Sequence, residues 1–392
     1  MLKRLWRKLK NSSGLKYETV RSHSRIEILG HNRTGKPGKA ALKAKGMDII
    51  EMGGGDSNFE TPREIKKAPL RIALTFDTDN DYFDSSLVNE NQDARSWMRW
   101  RGIEEGIPAM REFLSSQRDS LDKQPVMTWF VRVDDQLESI YGSPTYLLEH
   151  YGNMWRSYSE VGDEIAWHPH LYRRNQNRWE LEIDQEPLHR QMEKAYQSMW
   201  DLGYKPLSSR IGEAYGSLDL MMKLEALGLF CDSTAMPGRK RKDASRTIDW
   251  GPTPQTPYYP SKSDYRVSGE DHFNLLELPM SMVTTKTGYD KKPLKRYVDL
   301  SFRNDVIGMG IREYVNDASL FITVTHPAGV LNEIYDGEHG LVGFSMDNFR
   351  ANVETIIEAC ESAGRTFEFV TINQYQNLYK SSKAKENSYA RE

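Results

Sequence analysis

Three parts of this 392-residue chain carry side chains that bind metals and move protons. The first is "TFDTDND", where Asp77, Asp79 and Asp81 recur every second residue and so face one side of an extended chain. Like charges on one face repel unless a cation sits among them or water screens them. A solvated acidic turn accounts for the same residues, because Asp and Asn are ordinary turn formers. The second part is "WHPHLY". Pro169 biases His168 toward extended backbone, and His170 follows two residues on, so both imidazoles can converge on one point. Two readings stay open for this pair: metal ligands, or a histidine-rich turn that closes a strand. A divalent metal such as zinc takes neutral imidazoles and carboxylates, and catalytic sites keep one position open for water.

The third part is dispersed. "RIGEAYGS" carries Arg210, "CDST" carries Asp232 and "ITVTHP" carries His326. Arg210 suits either the surface or a carboxylate partner. His326 suits either a turn or a general acid, since a histidine pKa lies near working pH. Each of these groups directly follows a short apolar or β-branched run. The strand candidates are 70–76, 126–131, 164–168, 208–212, 229–233, 274–279, 320–326 and 366–372. Amphipathic helical patterns lie between them at 104–117, 144–161, 187–203, 217–228, 295–315 and 346–363. Gly228 marks the end of the fourth, and Ser345 or Asp347 starts the sixth. Alternating strands and helices predict an α/β fold, a β/α barrel of parallel strands whose functional groups gather at the strand C-termini. An open dinucleotide-binding sheet is disfavoured, because no strand leads into a glycine-rich turn or P-loop.

Composition narrows the function classes. Hydrophobic residues make up 38% and mean hydropathy is -0.69, yet apolar segments recur often enough to build a core. Residues 1–47 hold thirteen Lys and Arg against Glu18 and Glu27, a local balance of +11 that leaves -14 on the remainder. So acidic a body disfavours nucleic acid as a partner. In "MLKRLWRKLK", Leu2, Leu5, Trp6 and Leu9 fall at helical spacing among basic residues, the pattern of a helix lying on an anionic membrane surface. A frayed terminus, or a helix packed on the protein's own acidic body, has the same pattern. No apolar segment follows that head, and the two cysteines, Cys231 and Cys360, lack metal-site spacing, so the expected location is the cytoplasm; on the first of those readings residues 1–10 would also touch the inner membrane face. The expected organisation is a basic extension over 1–67, a barrel over 68–380 and a polar tail over 381–392. A Pro- and aromatic-rich insertion at 236–272 interrupts the barrel and suits either a ligand wall or a lid.

The order "LTFDTD", "TWFV", "GDEIAWHPH", "RIGEAYG" and "THP", with "GIPAMREFL" leading into "VMTWFV", resembles the polysaccharide deacetylase family, the NodB-homology domain of carbohydrate esterase family 4. The likeness spans roughly residues 70–375. It implies a distorted β/α barrel of seven or eight strands that uses a divalent metal to remove N- or O-acetyl groups from sugars. By that resemblance Asp77 is the catalytic base, Arg210 orients it, and His326 protonates the departing amine. Asp79 and His168 are metal ligands, with zinc the expected ion. Asp249 and Trp250 resemble the pair that walls the pocket, and Asp232 and Tyr172 are the remaining substrate-contact candidates. Two departures stand out. Thr78 separates aspartates that the family has adjacent, and position 172, where the family places its second histidine, is tyrosine, so His170 is the expected substitute. Divergent members of this kind resemble proteins of bacterial cell-surface glycan synthesis, which implies a lipid-linked or nucleotide-linked sugar as partner. Three alternatives remain at this stage: a silent carbohydrate-binding relative, another metal-dependent amide hydrolase, or a membrane-associated scaffold acting through the basic head.

Overall fold

Apolar runs without polar alternation need cover on both faces, and a parallel sheet wrapped by helices supplies it. The computed structural model describes residues 68–81, 98–176, 178–242, 247–331 and 345–389, which fall in one compact unit. The expected basic extension, with its membrane-facing helix, lies outside the described residues. Eight strands, β1 (Leu70–Asp77), β2 (Met127–Arg132), β3 (Glu164–His168), β4 (Ser208–Ser209), β5 (Cys231–Asp232), β6 (Leu276–Glu277), β7 (Leu320–Ile322) and β8 (Phe367–Phe369), form one parallel sheet. Its order is β6-β5-β4-β3-β2-β1-β7. β8 pairs with Leu70–Ile72 of β1, below the point where β2 takes over at Leu74. Between β6 and β7 no ladder forms. There Ser281 donates its N–H to the Ile322 carbonyl at 3.2 Å, and Val324 donates to the Val298 carbonyl at 2.8 Å. The sheet therefore curls into a distorted β/α barrel, the architecture the sequence predicts.

Strand alternation sorts side chains into two layers. Ala73, Phe130, Ala166, Cys231, Leu276 and Ile322 fill the barrel interior. Leu74, Phe76, Trp129 and Trp167 point outward and pack with Met110, Trp155 and Met192 of the surrounding helices. Those helices are α1 (Ile107–Leu114), α2 (Asp135–Tyr141), α3 (Tyr146–His150), α4 (Gly152–Glu160), α5 (Gln185–Asp201), α6 (Leu218–Ala226), α7 (Asn304–Asp317), α8 (Met346–Ser362) and α9 (Ile372–Tyr389). Ser345 caps α8 by accepting from the Asn348 N–H at 3.0 Å, as its position before the helical pattern predicts. Gly228, just past α6, has φ +87°, a left-handed turn that glycine adopts without strain.

The structure corrects several boundaries. The pattern over 144–161 divides at Tyr151 into α3 and α4. The pattern over 295–315 starts too early: Leu294–Tyr297 is a strand paired antiparallel with Met282–Thr285, and the helix begins at Asn304. Two further hairpins, Tyr172–Asn175 with Arg178–Leu181 and Lys240–Lys242 with Thr247–Asp249, give no sequence signal because their strands are short and polar. The last helix runs on through 381–389.

Asp163, just before β3, pins the base of the barrel. Its buried carboxylate accepts from the Met127 N–H at 3.0 Å and from the Trp129 indole at 2.8 Å, and it is paired with Arg111. Asp163→Ala should leave those donors unpaired and destabilise the fold by about 3 kcal/mol. Urea denaturation followed by tryptophan fluorescence measures the effect, and an unchanged midpoint would contradict it.

Candidate functional site

Strand parity decides which polar residues enter the barrel. Inward positions at the C-terminal ends of β1 and β3 are taken by Asp77 and His168, and Arg210 directly follows β4 and points inward to Asp77. Asp79, His170 and His326 follow their strands, and all six line one cavity of about 420 Å³. Three groups can be distinguished within it.

Asp77 and Arg210 form a buried ion pair, Nη1 to Oδ1 2.6 Å. Nη1 also donates to Thr75 Oγ1 at 2.8 Å, while Nε and Nη2 donate to the carbonyl and hydroxyl of Ser233 at 2.9 and 3.1 Å. The guanidinium lies over the Phe130 ring, 4.1 Å from its centroid. This arginine is a carboxylate partner, and the surface alternative is excluded.

Asp79, His168 and His170 are the second group. His168 Nδ1 lies 2.7 Å from the Arg210 carbonyl, so that nitrogen carries the proton and Nε2 presents a lone pair. His168 Nε2 is 3.2 Å from His170 Nε2. Asp79 Oδ1 lies 2.9 Å from His170 Nε2 and 3.7 Å from His168 Nε2. Among the described residues this buried oxygen accepts no well-directed hydrogen bond. Burial pushes the Asp79 carboxyl up, but the imidazoles of His170 and His168 outweigh it and hold the carboxyl well below the usual carboxylate range. One carboxylate and two imidazoles with converging lone pairs suit a divalent cation such as zinc. The residues fit the expected metal.

The H-P-H backbone is clamped from two sides. Asp134, the N-cap of α2, accepts from the His170 N–H at 3.2 Å, and Gly212 donates its N–H to the Pro169 carbonyl at 2.9 Å. A Cβ added at Gly212 would lie 2.5 Å from His170 Cδ2, so only glycine lets the ring occupy this place. Beyond it Glu213 and Ala214 have φ of +60° and +54°, sparsely populated for residues with side chains.

His326 and Asp299 are the third group. His326 Nδ1 is 3.0 Å from Asp299 Oδ2, and its Nε2 faces the cavity 3.7 Å from Asp79 Oδ2. Burial pulls the imidazole down, but the Asp299 hydrogen bond and the charges of Asp299, Asp77 and Asp79 raise its pKa to about 9. Asp299 is itself fixed by the N–H and hydroxyl of Ser301, at 2.9 and 2.6 Å. The sequence reading missed it. Its only mark is the Asp-x-Ser turn in "VDLS", which common surface loops share.

The other candidates stand elsewhere. Asp81 does not join Asp77 and Asp79, because the chain turns after β1 and its Oδ1 accepts from the Gly102 N–H at 3.1 Å. Asp232, expected at the substrate, has outward parity on β5, bonds Ser209 Oγ at 2.6 Å and does not line the cavity. Asp249 pairs with Lys240 and Arg266 away from the cavity lining. Trp250 is fully buried, and its indole donates at 2.9 Å to the carbonyl of Ala214, which does line the cavity. Tyr172 stands behind His170, ring centroids 5.3 Å apart, and donates to Glu213 Oε1 at 3.1 Å.

No family model matches the sequence, and no curated protein does. Among solved structures the chain is similar to one assigned as a polysaccharide deacetylase from Mycobacterium smegmatis, with TM-score 0.47 and 16% identity over 81% of this chain and 95% of that one. It is also similar to the PuuE allantoinase, with TM-score 0.47 and 13% identity over 80% of this chain and 91% of that one.

Gly212→Ala should displace the His170 ring and weaken metal binding about tenfold to a hundredfold, while the melting temperature stays near that of the wild type. Zinc titration against a chromophoric chelator reads the affinity. Wild-type affinity in the variant would remove His170 from the ligand set.

Proposed function

We propose that this chain is a metal-dependent deacetylase that hydrolyses the N-acetyl group of a sugar. The observation that carries the reading is the placement of three separate devices around one cavity: an Asp-His-His donor set, an arginine-fixed carboxylate, and an aspartate-fixed imidazole. The first would hold an electrophilic ion, and the other two would supply the base and the acid that amide hydrolysis requires. The sugar comes from the sequence resemblance. Its attachment to a lipid or nucleotide, and a place in bacterial cell-surface glycan synthesis, are parts of the same proposal.

Asp79, His168 and His170 would hold the ion. When bound, a divalent metal lowers the pKa of a water and polarises a carbonyl. Asp77 takes the proton from the attacking water, with one of its oxygens held by Arg210 so that the carboxylate cannot rotate away. His326, protonated, gives its Nε2 proton to the leaving nitrogen as the carbon–nitrogen bond breaks. An amine is expelled only once protonated, so an imidazole that keeps its proton at neutral pH suits this step. Asp299 holds that imidazole by Nδ1 and leaves Nε2 aimed into the cavity. O-acetyl hydrolysis would use the same residues with less need of the acid.

The decisive experiment combines metal analysis with acetate release from N-acetylated sugars. Asp77→Asn and His326→Gln should each lower kcat by roughly two to four orders of magnitude with metal content intact. His168→Ala should lose metal and turnover together. A metal-free wild type that binds sugar without releasing acetate would overturn the hydrolase reading in favour of a silent carbohydrate-binding protein.

The acid also sets a pH dependence. A group that must be protonated loses function as pH rises through its pKa, so turnover should fall on the alkaline side, along a limb that the Asp299 hydrogen bond and charge hold above the usual imidazole range. Asp299→Asn removes the largest raising influence and should move that alkaline limb downward. A limb that stays in place would mean His326 is not the acid.

A further inference from the structure

The charges lining the cavity are mostly matched. Asp77 is paired with Arg210, Glu213 with Arg241 at 2.7 Å, and His326 with Asp299. Asp79 faces the two imidazoles. Arg239 is different. It lines the cavity from the start of the 236–272 insertion, is exposed, and has no carboxylate within ion-pair distance among the described residues.

A second cation stands beside it. The Lys295 side chain lies over Gly238, since a Cβ built at that glycine would sit 3.4 Å from Lys295 Cδ and 4.0 Å from Nζ. Lys295 also lacks a carboxylate partner among the described residues. It belongs to the strand Leu294–Tyr297, so Lys295 and Tyr297 share one face of that strand. Tyr297 lines the cavity, and its ring centroid is 6.4 Å from that of His326. Two unmatched cations on facing segments thus lead, by way of a tyrosine, to the reacting groups. The cavity lining itself balances, with Asp77, Asp79 and Glu213 against Arg210, Arg239 and Arg241, so a dication held by the Asp-His-His set would leave it net positive. Clefts with one sign of charge concentrate ligands of the opposite sign.

We propose that the substrate is an anion, an acylated sugar bearing a phosphate or carboxylate group, and that Arg239 in the cavity lining, with Lys295 beside the adjoining Gly238, holds that group near Tyr297 and the acetamide. This rests on the hydrolase reading for the acyl sugar, but the anion site itself is a binding claim. An arginine gives a bidentate match to either oxyanion, and a lysine adds a mobile point charge. The same body that carries a net charge of about -14 outside residues 1–47 keeps this rim basic.

The test uses the metal-loaded full chain and its R239A/K295A variant with three probes: N-acetylglucosamine, its 1-phosphate, and the corresponding 6-carboxylate. Calorimetry reads binding without turnover, and acetate release gives kcat and KM. One anionic probe should bind at least about tenfold more tightly than the neutral sugar, and which one does so separates phosphate from carboxylate. The double variant should raise the Kd and KM of that probe about tenfold to a hundredfold, change KM more than kcat, and collapse the preference for charge. Arg239→Lys should restore part of the affinity but not all, because the bidentate contact is lost. Equal affinity for charged and neutral sugars, or a preference that survives the double variant, would overturn the proposal. Anion-selective binding without acetate release would instead defeat the hydrolase reading and leave the anion site standing.

Discussion

The buried guanidinium of Arg210 is the contact on which the rest of the site depends. Its side chain reaches across the barrel from β4 to Thr75 and Asp77 of β1, to Ser233 beyond β5, and over the Phe130 ring of β2. Its main-chain N–H bonds the Trp167 carbonyl, and its own carbonyl faces His168 Nδ1. One residue therefore sets both the aim of the Asp77 carboxylate and the tautomer of His168, the groups proposed above as base and metal ligand. Removing a full charge from water costs several kcal/mol, and it is tolerated only where donors and counter-charge are complete. Four donated bonds and a stacked ring meet that requirement here. The cost also enforces accuracy: the barrel cannot deform at this level without exposing an unpaired ion to an apolar interior. Rigidity at the site is thus a consequence of where the charge was buried.

The same logic separates what the sequence discloses from what it hides. Asp77, His168 and Arg210 were legible because each closes an apolar run, and a barrel points such residues into one mouth. Asp232 satisfies the same rule by position and departs from it by parity. The inward position on β5 goes to Cys231, so Asp232 faces outward to Ser209. A strand of two residues is too short for its parity to be read from a pattern of alternation. Asp299 was invisible for another reason. It lies on an irregular connection, and its function derives from a partner 27 residues later that only the fold brings near. The helix expected from residue 295 failed because the pattern in "LKRYVDLSF" serves an amphipathic strand as well as a helix, and the neighbouring Met282–Thr285 strand decided between them.

The positions beside the ligands show how a displaced histidine can be accommodated. In extended backbone, residues two apart lie on one side, and His168 and His170 meet edge to face at 85° with their Nε2 atoms adjacent. Their neighbours must then yield space and supply direction. Gly212 gives up its side chain to the His170 ring, and Asp134 fixes the peptide that carries it. Tyr172, at the position where the resembled family has its histidine, remains in contact with the site, but from behind, holding Glu213 next to His170. The left-handed backbone at Glu213 and Ala214 is where the cost of this arrangement is visible. Because His170 Nδ1 finds no hydrogen-bond partner among the described residues, packing and the contacts of Nε2 orient the ring. An ion bound at Nε2, as proposed above, would add the contact that this ring lacks, so His170, more than His168, is where occupancy and order of the proposed metal site would be coupled.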